Sequence, residues 1–290
     1  MYETLKAYLL VVKPRMVAAN LLAAAGGFFL AAQGHASIAL FASVMAGLCL
    51  IVASACVCNN CIDRRLDRDM ARTSGRPLAT GAVSLAGCLV YAGILGAAGA
   101  AVLAAGTNAR ALAAALGGFA VYVGVYSLIL KRRSMYSTAI GSLAGAAPPL
   151  AAYLAVRGRF DSGAFIVLAM FSLWQIPHSY AIAIFRLEDY AAARVPVMPV
   201  KAGVPATKRH IIWHIVAFTL AAQMLTAFGY AGYAYLASAT VLGLCWLYLA
   251  LSGGREGDDR PWARRVYLFS ILTIFVLSVA MSVDFAAPPA

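Results

Sequence analysis

Three oxygen-bearing side chains recur every four residues in the segment from residue 59 to residue 69. If this segment is helical, Asn59, Asp63 and Asp67 lie on one face of the helix. Carboxylate and amide oxygens suit a hard cation such as Mg²⁺, which commonly holds substrate phosphates at the same time. The spacing therefore predicts a divalent metal site at these three residues.

A stripe of arginines accompanies the acids. Arg64, Arg68, Arg72 and Arg76 also recur every four residues, and they follow a long apolar segment. Charge at a membrane is costly and usually serves a function, so acids and arginines here favour a metal-bridged diphosphate on a lipid-like substrate. Salt bridges on a solvated helix have the same spacing, and this structural alternative stays open from the sequence alone.

The elements that position these residues are membrane spans. Of the 290 residues, 63% are hydrophobic and only 12% are charged, which is typical of membrane proteins. A span needs about 20 apolar residues. Nine segments meet this requirement: 16–33, 38–58, 82–104, 109–130, 138–156, 162–184, 211–229, 231–252 and 265–283. We therefore predict an all-α, polytopic membrane helix bundle of nine transmembrane helices, with one domain over residues 1–290.

The basic residues predict the orientation of this bundle. All but three of the 23 lysines and arginines fall on the side that contains the N-terminus, and the exceptions are Arg110, Arg157 and Arg159. The positive-inside rule then puts the N-terminus in the cytoplasm and the C-terminus in the periplasm. The net charge of +12 reflects this topology and contact with anionic lipid, and it does not indicate nucleic-acid binding.

Two further motifs follow spans four and six. The first, YSLILKRR, begins at Tyr126, and a stop-transfer anchor explains its basic end equally well. The second, WQIPHSYAIAIFRLEDY, begins at Trp174 and contains His178 directly after Pro177. Proline predicts a kink or break in a span, here and at Pro148 and Pro149, and freed carbonyls at breaks often line a cavity. This position favours a cavity-facing role for the histidine over a role in packing.

These motifs together carry a resemblance to a known family. N-x-x-x-D-x-x-x-D followed by R-T-x-x-R-P-L resembles the UbiA-type intramembrane prenyltransferases. The motifs after spans four and six are narrower and resemble the branch that farnesylates protohaem IX, especially its bacterial members that serve quinol oxidases. The similarity runs from about Lys13 to Gly203. Quinone-type members carry a second D-x-x-x-D after span six, whereas this chain has only Glu188 and Asp189 there.

The resemblance implies a substrate pair and a cellular location. The substrates are farnesyl diphosphate and haem B, and the products are haem O, after addition of water, and diphosphate. Mg²⁺ is the implied cofactor, while haem B is a substrate and not a permanent cofactor. The expected location is the bacterial inner membrane, with the active site toward the cytoplasm. Candidate partners besides the lipid bilayer are a haem A synthase or a terminal oxidase subunit.

The resemblance also implies residue roles. Asn59, Asp63 and Asp67 bind the metal, with Asp189 as a candidate further ligand, and Arg72 and Arg76 complete the catalytic set. The diphosphate is bound by Lys131, Arg132 and Tyr126. Haem is contacted by His178, Gln175, Tyr180 and Arg186.

Two other functions fit part of the pattern. A prenyltransferase acting on a quinone or chlorin head group would use the same acidic motif. A membrane transporter of haem or an anionic metabolite would also have broken helices and intramembrane charge. Against the transporter, the polar residues cluster at one membrane face and the chain has no convincing internal repeat.

Overall fold

The computed structural model describes residues 2–253 and 258–286, and this part of the chain is helical. Nine of its helices are long and apolar enough to cross a membrane. In chain order the helices are α1 (Tyr2–Val11), α2 (Pro14–Ala32), α3 (Ile38–Asp69), α4 (Pro77–Thr80), α5 (Leu85–Gly106), α6 (Ala109–Phe119, continued as a π-helix over Ala120–Leu130), α7 (Ser137–Arg157), α8 (Ser162–Phe185), α9 (Leu187–Ala192), α10 (Met198–Lys201), α11 (Val204–Ala227), α12 (Tyr233–Leu251) and α13 (Arg260–Val283).

The nine predicted spans correspond one to one with the nine long helices of the described residues. The largest difference is at α3, which was predicted to end at residue 58 and instead continues to Asp69. No helix-breaking residue lies in this stretch, so the acidic motif extends the span as helix. The helices α11 and α13 likewise begin several residues earlier than predicted. Arg255, one of the basic residues counted on the N-terminal side in the sequence analysis, lies outside the described residues.

The prolines do not break their helices. Pro148 and Pro149 lie inside α7, and Pro177 lies inside α8, and both helices continue through them. A break at these prolines is therefore excluded, while a kink stays a prediction. Proline rings clash with the carbonyl one turn earlier, and small residues there leave room for neighbouring groups to adjust. In α7 that turn is Ala144 and Gly145.

Glycines on α2 bring this helix close to two others. A Cβ atom on Gly27 would lie 2.4 Å from the carbonyl oxygen of Pro149 in α7. A Cβ on the adjacent Gly26 would lie 3.0 Å from Ser278 Cα in α13. Small residues at helix contacts permit the close packing on which helix association in lipid depends. The helix α2 is thereby packed closely against both α7 and α13.

The last turns of α6 form a π-helix. This form has about one more residue per turn than an α-helix and frequently occurs at functional sites. Over Ala120–Leu130 it stacks Tyr122 on Tyr126 with ring centroids 5.8 Å apart, and it buries Ser127. The π-helix also determines where Lys131, the next residue, leaves the helix.

The close contact at Gly27 gives a test of the packing. Gly27→Ala should destabilise the protein by about 1–3 kcal/mol, because the added methyl group overpacks against the α7 backbone. Thermal unfolding of the purified protein in detergent should show a lower midpoint. Gly93→Ala in α5 is the matched control, because a Cβ there meets nothing within 4 Å. Equal unfolding midpoints for the two variants would contradict this packing.

Candidate active site

The three metal-ligand candidates share one buried face of α3. Asn59, Asp63 and Asp67 are 3%, 1% and 4% exposed. The helical spacing predicted from the sequence is therefore present, and the residues do not lie on a solvated surface. Two carboxylates buried this deeply need positive partners.

Within the described part of the chain, only one of the two carboxylate oxygens of Asp63 has hydrogen-bond partners. Its Oδ2 accepts a hydrogen bond from Asn59 Nδ2 at 2.8 Å and forms an ion pair with Lys131. Its Oδ1 is buried and has no hydrogen-bond donor among the described residues; Arg132 Nη2 lies 4.0 Å away. A buried carboxylate oxygen without a partner is costly, so this atom indicates a position for a bound cation.

Asp67 is held by an arginine that the chain returns to α3. Arg76 Nη1 donates to both carboxylate oxygens of Asp67 at 2.9 Å and approaches Asn60 Oδ1 at 3.4 Å. The helix ends at Asp69, and the following turn brings Arg76 back before Pro77 starts α4. Proline suits a first helical position because it has no backbone N–H to leave unpaired.

Lys13 belongs to the site although the sequence analysis gave it no role there. Its Nζ donates to Asn59 Oδ1 at 2.6 Å. The residue joins α1 to α2 in a left-handed conformation, with φ of 58°. A left-handed backbone conformation in a residue other than glycine costs about 1–3 kcal/mol, and such residues cluster at functional sites. The available signal was its place directly before Pro14 and the first span.

Burial and charge affect the two lysines differently. Desolvation is the main cause that lowers the pKa of Lys13 from its usual 10.5 to about 8. Burial also acts to lower the pKa of Lys131, but Tyr126 and the Asp63 carboxylate outweigh it, so the pKa is raised. Lys131 is therefore firmly charged at neutral pH, whereas Lys13 titrates in a mildly alkaline range.

The oxygen ligands offered by Asn59, Asp63 and Asp67 suit a metal ion whose remaining ligands are waters and substrate oxygens. The described residues contain no cluster of three or more His, Cys, Asp or Glu side chains that could hold a metal. Two carboxylates and one amide oxygen are a small set. Mg²⁺ is usually bound in this way, through one or two carboxylates, several waters and substrate phosphates.

Three residues with predicted roles take no part in the hydrogen bonds that hold Asp63 and Asp67. Arg72 is exposed and has no side-chain hydrogen bond or ion pair among the described residues, because the helix ends before it and the arginine stripe does not continue. Arg132 is 45% exposed, and its guanidinium donates to the carbonyl of Ile62 at 3.0 Å. Asp189, on α9, does not join Asp63 and Asp67 in a metal-ligating group.

Two of the residues predicted to contact haem, Tyr180 and Arg186, line neither of the cavities described below. Tyr180 is buried in the packing between α8 and α11, with its ring 6.2 Å from that of His210. Two residues along a helix correspond to a rotation of about 200°, so Tyr180 cannot share the face of His178. Arg186 ends α8 and stacks its guanidinium 4.4 Å from the ring centre of Phe185, and it lines neither cavity described below.

Two adjoining cavities open beside the charged residues. The smaller, of about 180 Å³, is lined by Asn59, Lys131, Tyr126 and Tyr190 among others. The larger, of about 410 Å³, is mainly apolar and no charged side chain of the described chain lines it. The residues that line both cavities include Gln175 and Ser179 of α8, together with Met16, Tyr122, Gly141 and Ile182. Charge and apolar space are therefore in direct contact.

His178 lies in the wall of the larger cavity, as the sequence predicted for a cavity-facing histidine. Its Nδ1 lies 2.7 Å from Ser270 Oγ of α13. Its ring stacks on Trp174 with centroids 4.8 Å apart. Together with Gln175 and Ser179, this histidine provides polar groups on the α8 side of the cavity.

Comparisons with known proteins agree on one family. A profile of the UbiA prenyltransferase family matches residues 20–277. A protoheme IX farnesyltransferase from Chromohalobacter salexigens is 55% identical over 97% of this chain and 95% of its own length. Protoheme IX farnesyltransferase 2 from Chromobacterium violaceum is 56% identical over 98% of this chain and 94% of its own length.

Solved structures share the fold. A structure of digeranylgeranylglyceryl phosphate synthase aligns with a TM-score of 0.79 at 18% identity, covering 97% of this chain and 98% of the other. A UbiA homologue from Archaeoglobus fulgidus, bound to GPP and Mg²⁺, aligns with a TM-score of 0.74 at 16% identity, covering 95% and 99%. The chain is a multi-pass membrane protein of the UbiA prenyltransferase family and belongs to its protoheme IX farnesyltransferase branch.

Proposed function

We propose that this chain transfers the farnesyl group of farnesyl diphosphate to a vinyl group of haem B, giving haem O and diphosphate. The observation that carries the proposal is a buried pair of carboxylates, one with an unpartnered oxygen. Two partners of Asp63, Asn59 and Lys131, line a polar cavity that adjoins an apolar one. The relatives named protoheme IX farnesyltransferase support the identity of both substrates. Their coverage of nearly the whole chain supports one membrane domain over residues 1–290.

The charged residues beside the smaller cavity are suited to stabilise the departing diphosphate. Asn59, Asp63 and Asp67 would hold Mg²⁺, and the ion, when bound, neutralises charge on the diphosphate oxygens. The Archaeoglobus homologue bound to GPP and Mg²⁺ supports this pairing of metal and prenyl diphosphate. Lys13 and Lys131 stabilise the charge that develops as the carbon–oxygen bond breaks and its electron pair leaves with the diphosphate. Tyr126 lies beside Lys131, whose Nζ is 6.0 Å from the tyrosine ring centre.

The apolar cavity is suited to the next step. Ionisation leaves an allylic cation, and the vinyl π electrons of haem form the new carbon–carbon bond with it. The resulting cation, stabilised by the porphyrin, takes up water, which then loses a proton and leaves a hydroxyl group. Water must be kept out until the bond has formed, since otherwise farnesol results. An apolar wall around the isoprenoid chain provides this exclusion.

The alternative functions are less well supported. Membership in a prenyltransferase family does not agree with a transporter of haem or of an anionic metabolite. A quinone or chlorin head group is disfavoured because the relatives described above, at 55% and 56% identity, are named protoheme IX farnesyltransferases. We retain a haem A synthase or a terminal oxidase subunit as the proposed recipient of the product.

The reaction and its metal site are tested in one assay. Purified protein with haem B, farnesyl diphosphate and Mg²⁺ should give haem O, identified by mass spectrometry, together with released diphosphate. Asp67→Asn should lower kcat/KM by about 10²–10³-fold, because charge stabilisation at the leaving group is lost.

Asp69→Asn is the matched control for that variant, because it changes an exposed acid at the end of the same helix. It should retain the activity of the unmodified protein. Full activity of Asp67→Asn would exclude the metal role, and farnesylation of a quinone in place of haem would exclude the proposed acceptor.

The lowered pKa of Lys13 gives a prediction about pH. The Lys13 amino group is mostly protonated below pH 8 and mostly neutral above it. Its contribution to diphosphate binding should therefore decline as the pH rises through 8. Arginine stays charged over this range, so Lys13→Arg should keep its kcat/KM for farnesyl diphosphate at pH 9 better than the unmodified protein. Lys6→Arg, an exposed control, should not change the profile. Identical profiles for all three proteins would contradict a role for Lys13.

The orientation in the membrane can be tested by fusions. We propose that the N-terminus and the charged cavity face the cytoplasm of a bacterium and that the C-terminus faces the periplasm, because the basic residues are concentrated on the N-terminal side. Alkaline phosphatase fused after residue 290 should be active, whereas the same enzyme inserted after Arg133 should be inactive. The reverse pattern would place the charged cavity outside.

A further inference from the structure

The hydroxyl group of Ser270 contacts two groups at once. It is buried on α13, and its Oγ lies 2.5 Å from the carbonyl oxygen of Tyr267 and 2.7 Å from His178 Nδ1. A serine hydroxyl has one hydrogen to donate, and a backbone carbonyl can only accept. If the hydrogen pointed at the histidine, two oxygen lone pairs would face each other at 2.5 Å. The hydrogen therefore points at Tyr267, and Ser270 Oγ accepts from the histidine.

This arrangement determines the tautomer of His178. Because Nδ1 must donate, it carries the hydrogen, and a neutral imidazole then has a free lone pair on Nε2. Nε2 makes no hydrogen bond with any described residue. The larger cavity, which His178 lines, has no charged side chain among its described lining residues, so nothing there favours an imidazolium ion.

The same residue also fixes the plane of the imidazole ring. The indole of Trp174 donates through Nε1 to the backbone carbonyl of Ser270 at 2.9 Å. That indole stacks on His178 with an interplanar angle of 24°. The ring centre of Tyr267 lies 5.5 Å from that of His178, at an interplanar angle of 59°. One turn of α13 thus holds the imidazole through its hydrogen bond and through its stacking partner.

We propose that Ser270 is a positioning residue for the haem substrate: it holds His178 in the Nδ1–H form so that Nε2 ligates the haem iron. Ligation is a coordinate bond from the Nε2 lone pair, and it changes no oxidation state. Histidines that bind metals commonly donate their other N–H to a fixed acceptor, which sets the tautomer and raises ligand basicity. This inference rests on the proposed function, because haem is its ligand.

The position of His178 suits the reaction. Gln175 and Ser179, its neighbours on α8, line both the apolar and the polar cavity. A porphyrin anchored through iron at His178 would therefore have an edge beside the cavity that contains Asn59 and Lys131. Iron ligation fixes the centre of the porphyrin, and it leaves the vinyl groups at the edge free to react.

Haem binding in the absence of any prenyl diphosphate tests the proposal. Purified protein is titrated with haem B, and the bound form is examined by optical absorption and, after reduction, by resonance Raman spectroscopy of the iron–imidazole stretch. Ser270→Ala should weaken haem affinity by about 10–100-fold and lower the stretching frequency, because Nδ1–H loses its acceptor. Ser270→Thr, which retains a hydroxyl, should restore both.

Matched variants separate positioning from general packing. Ser278→Ala removes another buried serine hydroxyl from α13 and should bind haem normally. His178→Ala should abolish the iron–imidazole band, and adding Ser270→Ala to it should cause no further loss of affinity. Equal losses from Ser270→Ala with and without His178 would overturn the proposal, as would an unchanged stretching frequency in Ser270→Ala.

The result for the unmodified protein distinguishes this inference from the proposed function. If the protein binds no haem and forms no haem O, the proposed function fails. If it binds haem and forms haem O but shows no iron–imidazole band, the proposed function stands and the role of Ser270 is wrong. A band that depends on both His178 and Ser270 supports the inference directly.

Discussion

The structure depends on neutralising two carboxylates that are almost completely buried at the end of a membrane span. Removing one partner of a buried ion pair typically costs about 3–5 kcal/mol, so the cations must be held firmly. They come from three separate segments: Lys13 from the junction of α1 and α2, Arg76 from the turn after α3, and Lys131 from the end of the π-helix. Lys13 reaches the acids through Asn59, while the other two pair with them directly. The same contacts that neutralise the acids therefore also fix the ends of α2, α3 and α6 relative to one another.

This set of charges suits an anionic ligand. The cations outnumber the two carboxylates, and the lysines occupy oxygen atoms that a metal ion would need, Asn59 Oδ1 and Asp63 Oδ2. Arrival of a metal-bound diphosphate would let the lysines move to phosphate oxygens while the ion takes their places. Such an exchange replaces one set of charge pairs by another, so no charge is left buried without a partner. Neither metal nor diphosphate alone would achieve this balance.

The sequence predicted the parts of this structure that depend on local periodicity. Nine apolar segments and the face shared by Asn59, Asp63 and Asp67 follow from spacing alone. Its errors arose where chain geometry intervenes. Arg72 and Arg76 share one predicted stripe, but α3 ends between Asp69 and both arginines, so only the second returns to the acids. Lys13 and Ser270 were missed because their partners lie 46 and 92 residues away, and no local pattern predicts such contacts.

The helix α8 shows why neighbouring residues of one sequence motif have different roles in the structure. His178 and Tyr180 lie two positions apart, so one faces the cavity while the other packs against α11. Gln175 lies on one face with both His178 and Ser179, because it precedes them by three and four residues, and these spacings keep side chains on one face. That face passes from the apolar cavity to the polar one within about one turn. In the proposed reaction, an acceptor held on this face would therefore meet the prenyl carbon at the boundary between charge and apolar space. There, the diphosphate would leave toward the cations, while the allylic cation would stay shielded from water.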